Sequence, residues 1–185
     1  RDGQRQLEID GSRCSDLQSW FAVMGAVVFC PEDIAIVRGQ PDRRRRFVDR
    51  AAFTLRPSHL PIVQDATRLI KHKAALLRQP PVDPLQLDTF DAELARVGSR
   101  LISRRREAVQ ALTEPFTKMV QEIAGHSDVS LQLRSVGIQT DGDEEAIQEE
   151  LSIAIAQARH DELGRRQVLI GPHRDELEIL VRGKR

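Results

Sequence analysis

RLIKHKAALLRQPPVDPLQLDTFDAELARVGSRL, residues 68–101, contains the point where the chain turns back on itself. Upstream of the prolines, Val63, Ile70 and Leu77 recur every seven residues, and Ile62, Ala66, Leu69 and Leu76 fill the same stripe. Downstream of Pro80, Pro81 and Pro84, Leu87, Leu94, Leu101 and Ala108 again step by seven, with Phe90 and Val97 at the second seam position. A seven-residue apolar repeat keeps one side of a helix dry along its length. A short Pro-rich link between two such helices leaves them antiparallel neighbours. The spacing therefore predicts a two-helix hairpin projecting as an arm. Pro115 is expected to kink or divide the second helix, because proline lacks the amide that the helix ladder needs. Phe116, Met119, Val120 and Ile123 then carry its apolar side on to Gly125.

Outside the arm the period changes. Residues 5–9 alternate polar and apolar before Asp10-Gly11, the pattern of a strand entering a tight hairpin. Ser15 is placed to cap a short helix ending at Phe21, and Ala26, Val27, Val28, Phe29 and Cys30 form a short buried-strand run that stops at Pro31. Residues 32–37 suit a helical turn closed by Gly39. Pro41 then opens a helix carrying Phe47, Val48, Ala51, Ala52 and Leu55 on one side, Pro57 ends it, and Ser58 is expected to cap the next. After the arm, Val129, Leu131 and Leu133 alternate as a strand, residues 141–145 give an acidic opening to a helix running to about Leu163, and Leu177, Ile179 and Val181 alternate again. The order strands, long helices, strands predicts an α+β, mainly helical chain with a helical insertion in a sheet-containing domain. The expected divisions are 1–40, 41–125 for the arm, and 126–185. The chain opens at Arg1 rather than Met and stops in a strand-like run, so it is expected to be an internal piece whose strands, Leu177 to Val181 among them, have lost partner surface and are poorly held.

Composition narrows the classes. Charged residues at 30% and hydrophobic residues at 40% describe a globular chain. Aromatics make up only 4%, with no Tyr, which argues against a base-stacking platform for single strands. No apolar run reaches the length of a membrane span, and Cys14 and Cys30 form no C-x-x-C pair, so a reduced, cytoplasmic setting is expected. The zero net charge is a sum of unlike regions: residues 38–73 hold ten Lys or Arg against three Asp, and residues 141–162 hold eight acids against Arg159. Arginine makes up 24 of the 28 basic residues. Its planar fork suits phosphate.

Two motifs stand out. In residues 28–49 an apolar strand delivers Pro31-Glu32-Asp33 to a loop, and a turn leads to a helix whose first turns carry Arg43, Arg44, Arg45 and Arg46. Helix amides and guanidinium forks together make a place for phosphate, so these four are candidate phosphate contacts. A solvated helix face or ion pairs between helices would use the same residues. Glu32 and Asp33 also suit the acid-favouring start of a helical turn. In the second motif, Gly171-Pro172 makes a turn before His173, Arg174 and Asp175. His-Arg-Asp also occurs in kinase catalytic loops, but a kinase needs Asn five residues after the Asp, and Leu180 stands there. No other His lies at metal-ligand spacing to it, so no metal site and no catalytic residue are expected.

The run from Phe29 through Pro31, Glu32, Asp33, Val37, Gly39, Pro41, Arg44, Arg45 and Phe47 to Asp49 resembles the RecF family in register. The arm pattern is matched at Arg68, Ile70, Leu76 and Leu77, with departures at Ala66, His72, Lys73 and Ala74. Asp91, Leu94, Gly98 and Arg105 match a later arm pattern, with Phe90 where Trp is usual, and residues 171–175 reproduce the family's GPHRD signature, followed by Glu176 in place of a second Asp. The resemblance implies the helical arm (lobe II) of an SMC-like, ABC-type P-loop ATPase head that is incomplete here. By it, residues 1–40 end the ATPase lobe, Glu32 and Asp33 lie in a Q-loop-like, nucleotide-proximal place, and His173, Arg174 and Asp175 lie at the interface between lobes.

The phosphate-cradling motif G-x-x-x-x-G-K-[ST] is absent, and Gly183-Lys184 has no preceding partner glycine. The signature and magnesium-site motifs are absent too, so no cofactor or ATP hydrolysis is expected of these residues alone. For a full-length member the resemblance implies ATP with Mg2+, an ATP-dependent homodimer, a slow ATPase, sequence-independent DNA binding, and action with RecR, and indirectly RecA, at gaps during DNA replication, repair and the SOS response to damage. The alternative is a nucleotide-independent helical-hairpin adaptor for another protein, which the heptads alone fit equally well.

Overall fold

The computed structural model describes residues 8–13 and 30–183. The Ser15 cap, the helix to Phe21 and the apolar run before Cys30 lie outside the described residues. Strands β1 (Glu8–Ile9) and β2 (Ser12–Arg13) form the expected small hairpin, turning through Asp10 and Gly11, both at positive φ. The PED segment is a 3-10 turn, Pro31–Ile34, running into the single-turn helix α1 (Ala35–Arg38) and stopping at Gly39. Helix α2 spans Pro41–Leu55, α3 His59–Leu77 and α4 Pro84–Ala124. Strand β3 (Val129–Arg134), helix α5 (Glu144–Arg165) and strand β4 (Glu176–Val181) complete the described chain.

Local chemistry explains most of these ends. Pro41 and Pro84 sit in the first turns of α2 and α4, where a missing amide costs nothing. Asp83 and Asp143 accept backbone N–H groups at the starts of α4 and α5. Gly125 ends α4 at φ 71, a conformation that favours glycine. Two expectations fail. Ser58 occupies the residue before α3 but makes no side-chain capping bond, since its backbone is already helical at φ −65, ψ −2. Pro115 does not divide α4, which runs on through it. Ala111, whose carbonyl loses its amide there, is exposed, so water can replace the bond.

The arm also differs from a projecting two-helix limb. Helix α5 lies along α4 as closely as α3 does, and its Ile147, Leu151 and Ile155 share one core with Leu77 of α3 and Leu87, Leu94, Ala95 and Ile102 of α4. Further along, Val97 and Leu101 meet Ile62 and Ala66 of α3. Beyond that, Ala108 and Val109 meet Val48 and Ala52 of α2 and Leu133 and Leu177 of the sheet. The seven-residue stripe of Leu87, Leu94, Leu101 and Ala108 is buried throughout, each at 2% exposure or less. It is not a seam against one partner. A straight helix at 3.6 residues per turn drifts about 20° per heptad, and α4 uses that drift to face three neighbours in succession. The segment after residue 125 therefore shares its core with the arm.

β4 is not stranded either. It pairs antiparallel with β3 over six residues, from Val129↔Val181 to Arg134↔Glu176. Leu133 and Leu177 face α2 and α4 and bury one side of this ribbon. Among the described residues no helix is long and apolar enough to cross a membrane.

Candidate functional site

The sequence placed two motifs some 130 residues apart, and the fold brings them into contact. Arg105, in mid-α4 and only 4% exposed, is the joint. Its Nε and Nη2 donate to the two oxygens of Asp49 on α2, at 2.8 and 2.9 Å. Its Nη1 donates to Asp175 Oδ2 at 2.7 Å and to the Pro172 carbonyl at 2.6 Å. His59, at the start of α3, adds Nε2 against Asp49 Oδ1 at 3.0 Å. One planar cation thus joins three helices to the residue 171–175 loop, using the fork geometry that separates Arg from Lys.

Electrostatics follow from this enclosure. Burial pushes the Asp49 carboxyl up, but His59 and Arg105 outweigh it and hold it below its ordinary value. Burial opposes the Arg105 charge, yet the two carboxylates win and keep it firmly protonated. Asp175 is fully buried; desolvation raises its carboxyl against the pull of Arg105 and Arg45. Burial lowers His173 to about 4, with Arg174, Arg45 and Lys73 adding to the effect, so its ring is neutral near pH 7. Its Nε2 meets the Val168 carbonyl at 3.1 Å.

The four arginines of α2 divide. Arg44 is enclosed: its Nε and Nη2 bind Glu176, and its Nη1 donates to the Gly39 carbonyl at 2.9 Å. Arg45 donates to the Asp175 carbonyl at 3.0 Å. Arg43 and Arg46 are exposed on the other side. They line a small cleft of about 120 Å³ with Cys30, Glu32, Asp33, Ile36 and Phe47, and with Arg50, which lies outside the four-arginine run. Asp33 accepts the Cys30 amide at 2.9 Å, and that bond lowers its carboxyl. It therefore closes the 3-10 turn, while Glu32 is exposed. Arg174 is exposed, and its Nη2 donates to the Val168 carbonyl at 3.3 Å. Among the described residues no group of three or more His, Cys, Asp or Glu converges as a metal site.

The later arm pattern now has a geometric meaning. Asp91, Leu94, Gly98 and Arg105 recur every three to seven residues on one side of α4, and that side meets the residue 171–175 loop and α5. A Cβ on Gly98 would stand 2.8 Å from Leu151 and 3.4 Å from Pro172, and one on Gly171, at φ 138, would meet His173 and Leu94. Asp91 belongs to a second buried cluster that sequence reasoning missed. Lys73 of α3, with no exposed surface, lies 2.6 Å from Asp91 of α4 and 2.6 Å from Glu162 of α5. Arg159 braces Asp91 at 2.9 Å, and Glu162 accepts the Leu169 amide at 2.7 Å. A Lys on an apolar stripe, seven residues from the flanking Ala66 side of the seam, was the available signal.

No protein-family model matches the chain. Individual proteins do. Proteins named DNA replication and repair protein RecF from Geobacter sulfurreducens, Anaeromyxobacter sp. and Symbiobacterium thermophilum are 33%, 32% and 30% identical over 185, 187 and 184 residues. These alignments cover 100%, 98% and 98% of this chain. The chain belongs to the RecF family. It spans about half the length of these relatives, 50%, 50% and 49%. Two solved structures of the recombination mediator protein RecF of the RecFOR pathway, its ATP and ATPrS forms, share the fold of this chain with TM-scores of 0.83 and 0.85 at 23% identity. They match 99% and 98% of this chain and 50% of their own. The mainly helical α+β architecture, with an arm rooted on a small sheet, is the fold of that half of RecF.

Proposed function

We propose that this chain is the arm-bearing part of a recombination mediator that binds DNA with ATP and Mg2+ and helps load RecA at gaps during replication and repair. RecR is its protein partner, and an ATP-dependent homodimer is the working form. The observation that carries the reading is the closure of one RecF motif on the other, Arg44 on Glu176 and Arg45 and Arg105 on Asp175. That junction is far more than a helical hairpin needs to dock a protein, and the stripe an adaptor would offer is already covered by α2, α3, α5 and the sheet.

Within this reading the Pro31–Ile34 turn occupies the nucleotide-proximal corner, with exposed Glu32 facing a bound nucleotide and Asp33 shaping the turn. His173 and Asp175 fix the loop at the lobe junction, leaving Arg174 at its surface. Residues 1–40, 41–125 and 126–185 then serve as lobe end, arm and return segment, the last two sharing a core. The phosphate-cradling loop lies outside these residues, so the chain alone hydrolyses no ATP. The test uses the full-length gene product. Light scattering should show a monomer that dimerises with ATP and Mg2+, and duplex affinity should rise in parallel. A protein that stays monomeric and binds duplex equally with and without ATP would overturn the proposal.

A further inference from the structure

We infer that the outer face of α2, carrying Arg43, Arg46 and Arg50, is a track for the phosphates of duplex DNA, whereas Arg44 and Arg45 take no part in binding. This rests on the DNA-binding reading above and narrows it to three residues, one of them outside the conspicuous run.

Successive helical residues turn by about 100°, so four arginines in a row cannot all face one way. The interior takes Arg44, whose guanidinium is held by Glu176 and the Gly39 carbonyl, and half-buried Arg45, whose Nη1 donates to the Asp175 carbonyl. Arg43, Arg46 and Arg50 follow the i, i+3, i+7 spacing of a single face, and all three are exposed. Among the described residues the guanidinium groups of Arg43 and Arg50 make no ion pair or hydrogen bond, and Arg50 acts on Asp33 through its charge alone. Arg46 has Asp42 at 3.3 Å, with both groups in solvent. Such an exposed pair is worth about 1 kcal/mol or less, which a phosphate can displace.

The nearby acids select among polyanions. Glu32 and Asp33 share the cleft with the arginines, which disfavours a lone phosphate ion seated there. Guanidinium groups spread along a helix suit an extended chain instead. At 1.5 Å per residue, Arg43 and Arg50 stand about 10 Å apart along the axis. Duplex DNA advances about 3.4 Å per phosphate on each strand, so this span covers about three of them. Phe47 offers no stacking on bases, because it is packed against the core of α2, α4 and the sheet. Contacts to the backbone alone predict binding that ignores sequence and depends steeply on salt.

The experiment measures duplex affinity of the full-length protein with ATP by fluorescence anisotropy, between about 50 and 200 mM salt. The triple variant R43Q/R46Q/R50Q should lower the slope of log affinity against log salt by about 2 to 3, and R50Q alone by about 1. Both should keep the wild-type melting temperature. R44Q should melt earlier and keep the wild-type slope. A wild-type protein that binds duplex, beside a triple variant with an unchanged slope, overturns this inference and leaves the DNA-binding reading standing. A wild-type protein without salt-dependent duplex affinity overturns both.

Discussion

Two buried ionic clusters hold this molecule together, and they differ in what they join. The Arg105 cluster ties α2, α3 and α4 to the residue 171–175 loop through two carboxylates and a backbone carbonyl. The Lys73 cluster ties α3, α4 and α5 to one another through Asp91 and Glu162. Where partners converge from fixed and different directions, carbonyl included, the cation is a planar fork. Where two carboxylates close on one point, it is an ammonium. Both cations are buried, so both are costly to strand and costly to remove. The Arg105 cluster joins the helix that carries the arginine run to the 171–175 loop. The Lys73 cluster fastens the third helix that turns a hairpin into a bundle.

The sharpest way to break the comparison is to delete each cation. Arg105→Met leaves Asp49 and Asp175 facing each other, and Lys73→Met leaves Asp91 and Glu162. Each should lower stability by about 3–5 kcal/mol in urea titration. If the functional distinction is right, the conservative swaps separate them. Arg105→Lys should still abolish ATP-dependent dimerisation, because Lys cannot span Asp49, Asp175 and Pro172 together. A melting temperature within a degree or two of wild type for either Met variant would show the cluster to be ornamental.

Acid is the next lever, and it acts through His173. His173 titrates at about 4 in the fold against 6.5 when free. Below pH 6.5 the unfolded chain takes up the proton first, so stability present above that pH drains away as pH falls and is gone by about pH 4. At about 1.36 kcal/mol per unit, the loss is at most about 3–4 kcal/mol. Asp49, held low by His59 and Arg105, loses its contribution in the same direction at still lower pH. His173→Gln should flatten urea midpoints between pH 6.5 and 4; an unchanged pH profile would place the acid loss elsewhere. Gly98→Ala is the smallest of these tests. Its methyl would press on Leu151 and Pro172, an overpacking worth about 1–3 kcal/mol, and hydrogen exchange should quicken in α5 and the 171–175 loop together.

Much of the fold was legible in the residues. The heptad spacing predicted α3 and α4, Pro41 and Pro84 marked helix starts, alternation at Val129, Leu131 and Leu133 and again at Leu177, Ile179 and Val181 predicted two strands, and Asp10-Gly11 predicted the hairpin. The motifs were legible as motifs. What could not be read was which side of α2 turned inward. Arg43, Arg44, Arg45 and Arg46 are chemically alike, and only the positions of Glu176 and Asp175, 130 residues later, divide them. Arg50 was missed for the same reason: it shares a face with Arg43 and Arg46, not a run. Lys73 stood only as a departure from the arm pattern, because a buried lysine is tolerable only where Asp91 and Glu162 already wait.

Periodicity, proline and glycine act through neighbours a few residues away, so the chain alone determined where its helices and strands lie and that it is mostly helical. Partner choice is long-range. Whether α4 meets one helix or three, whether β4 finds β3, and which cations are buried depend on groups whose desolvation must be matched in space. Only the assembled tertiary structure decides those.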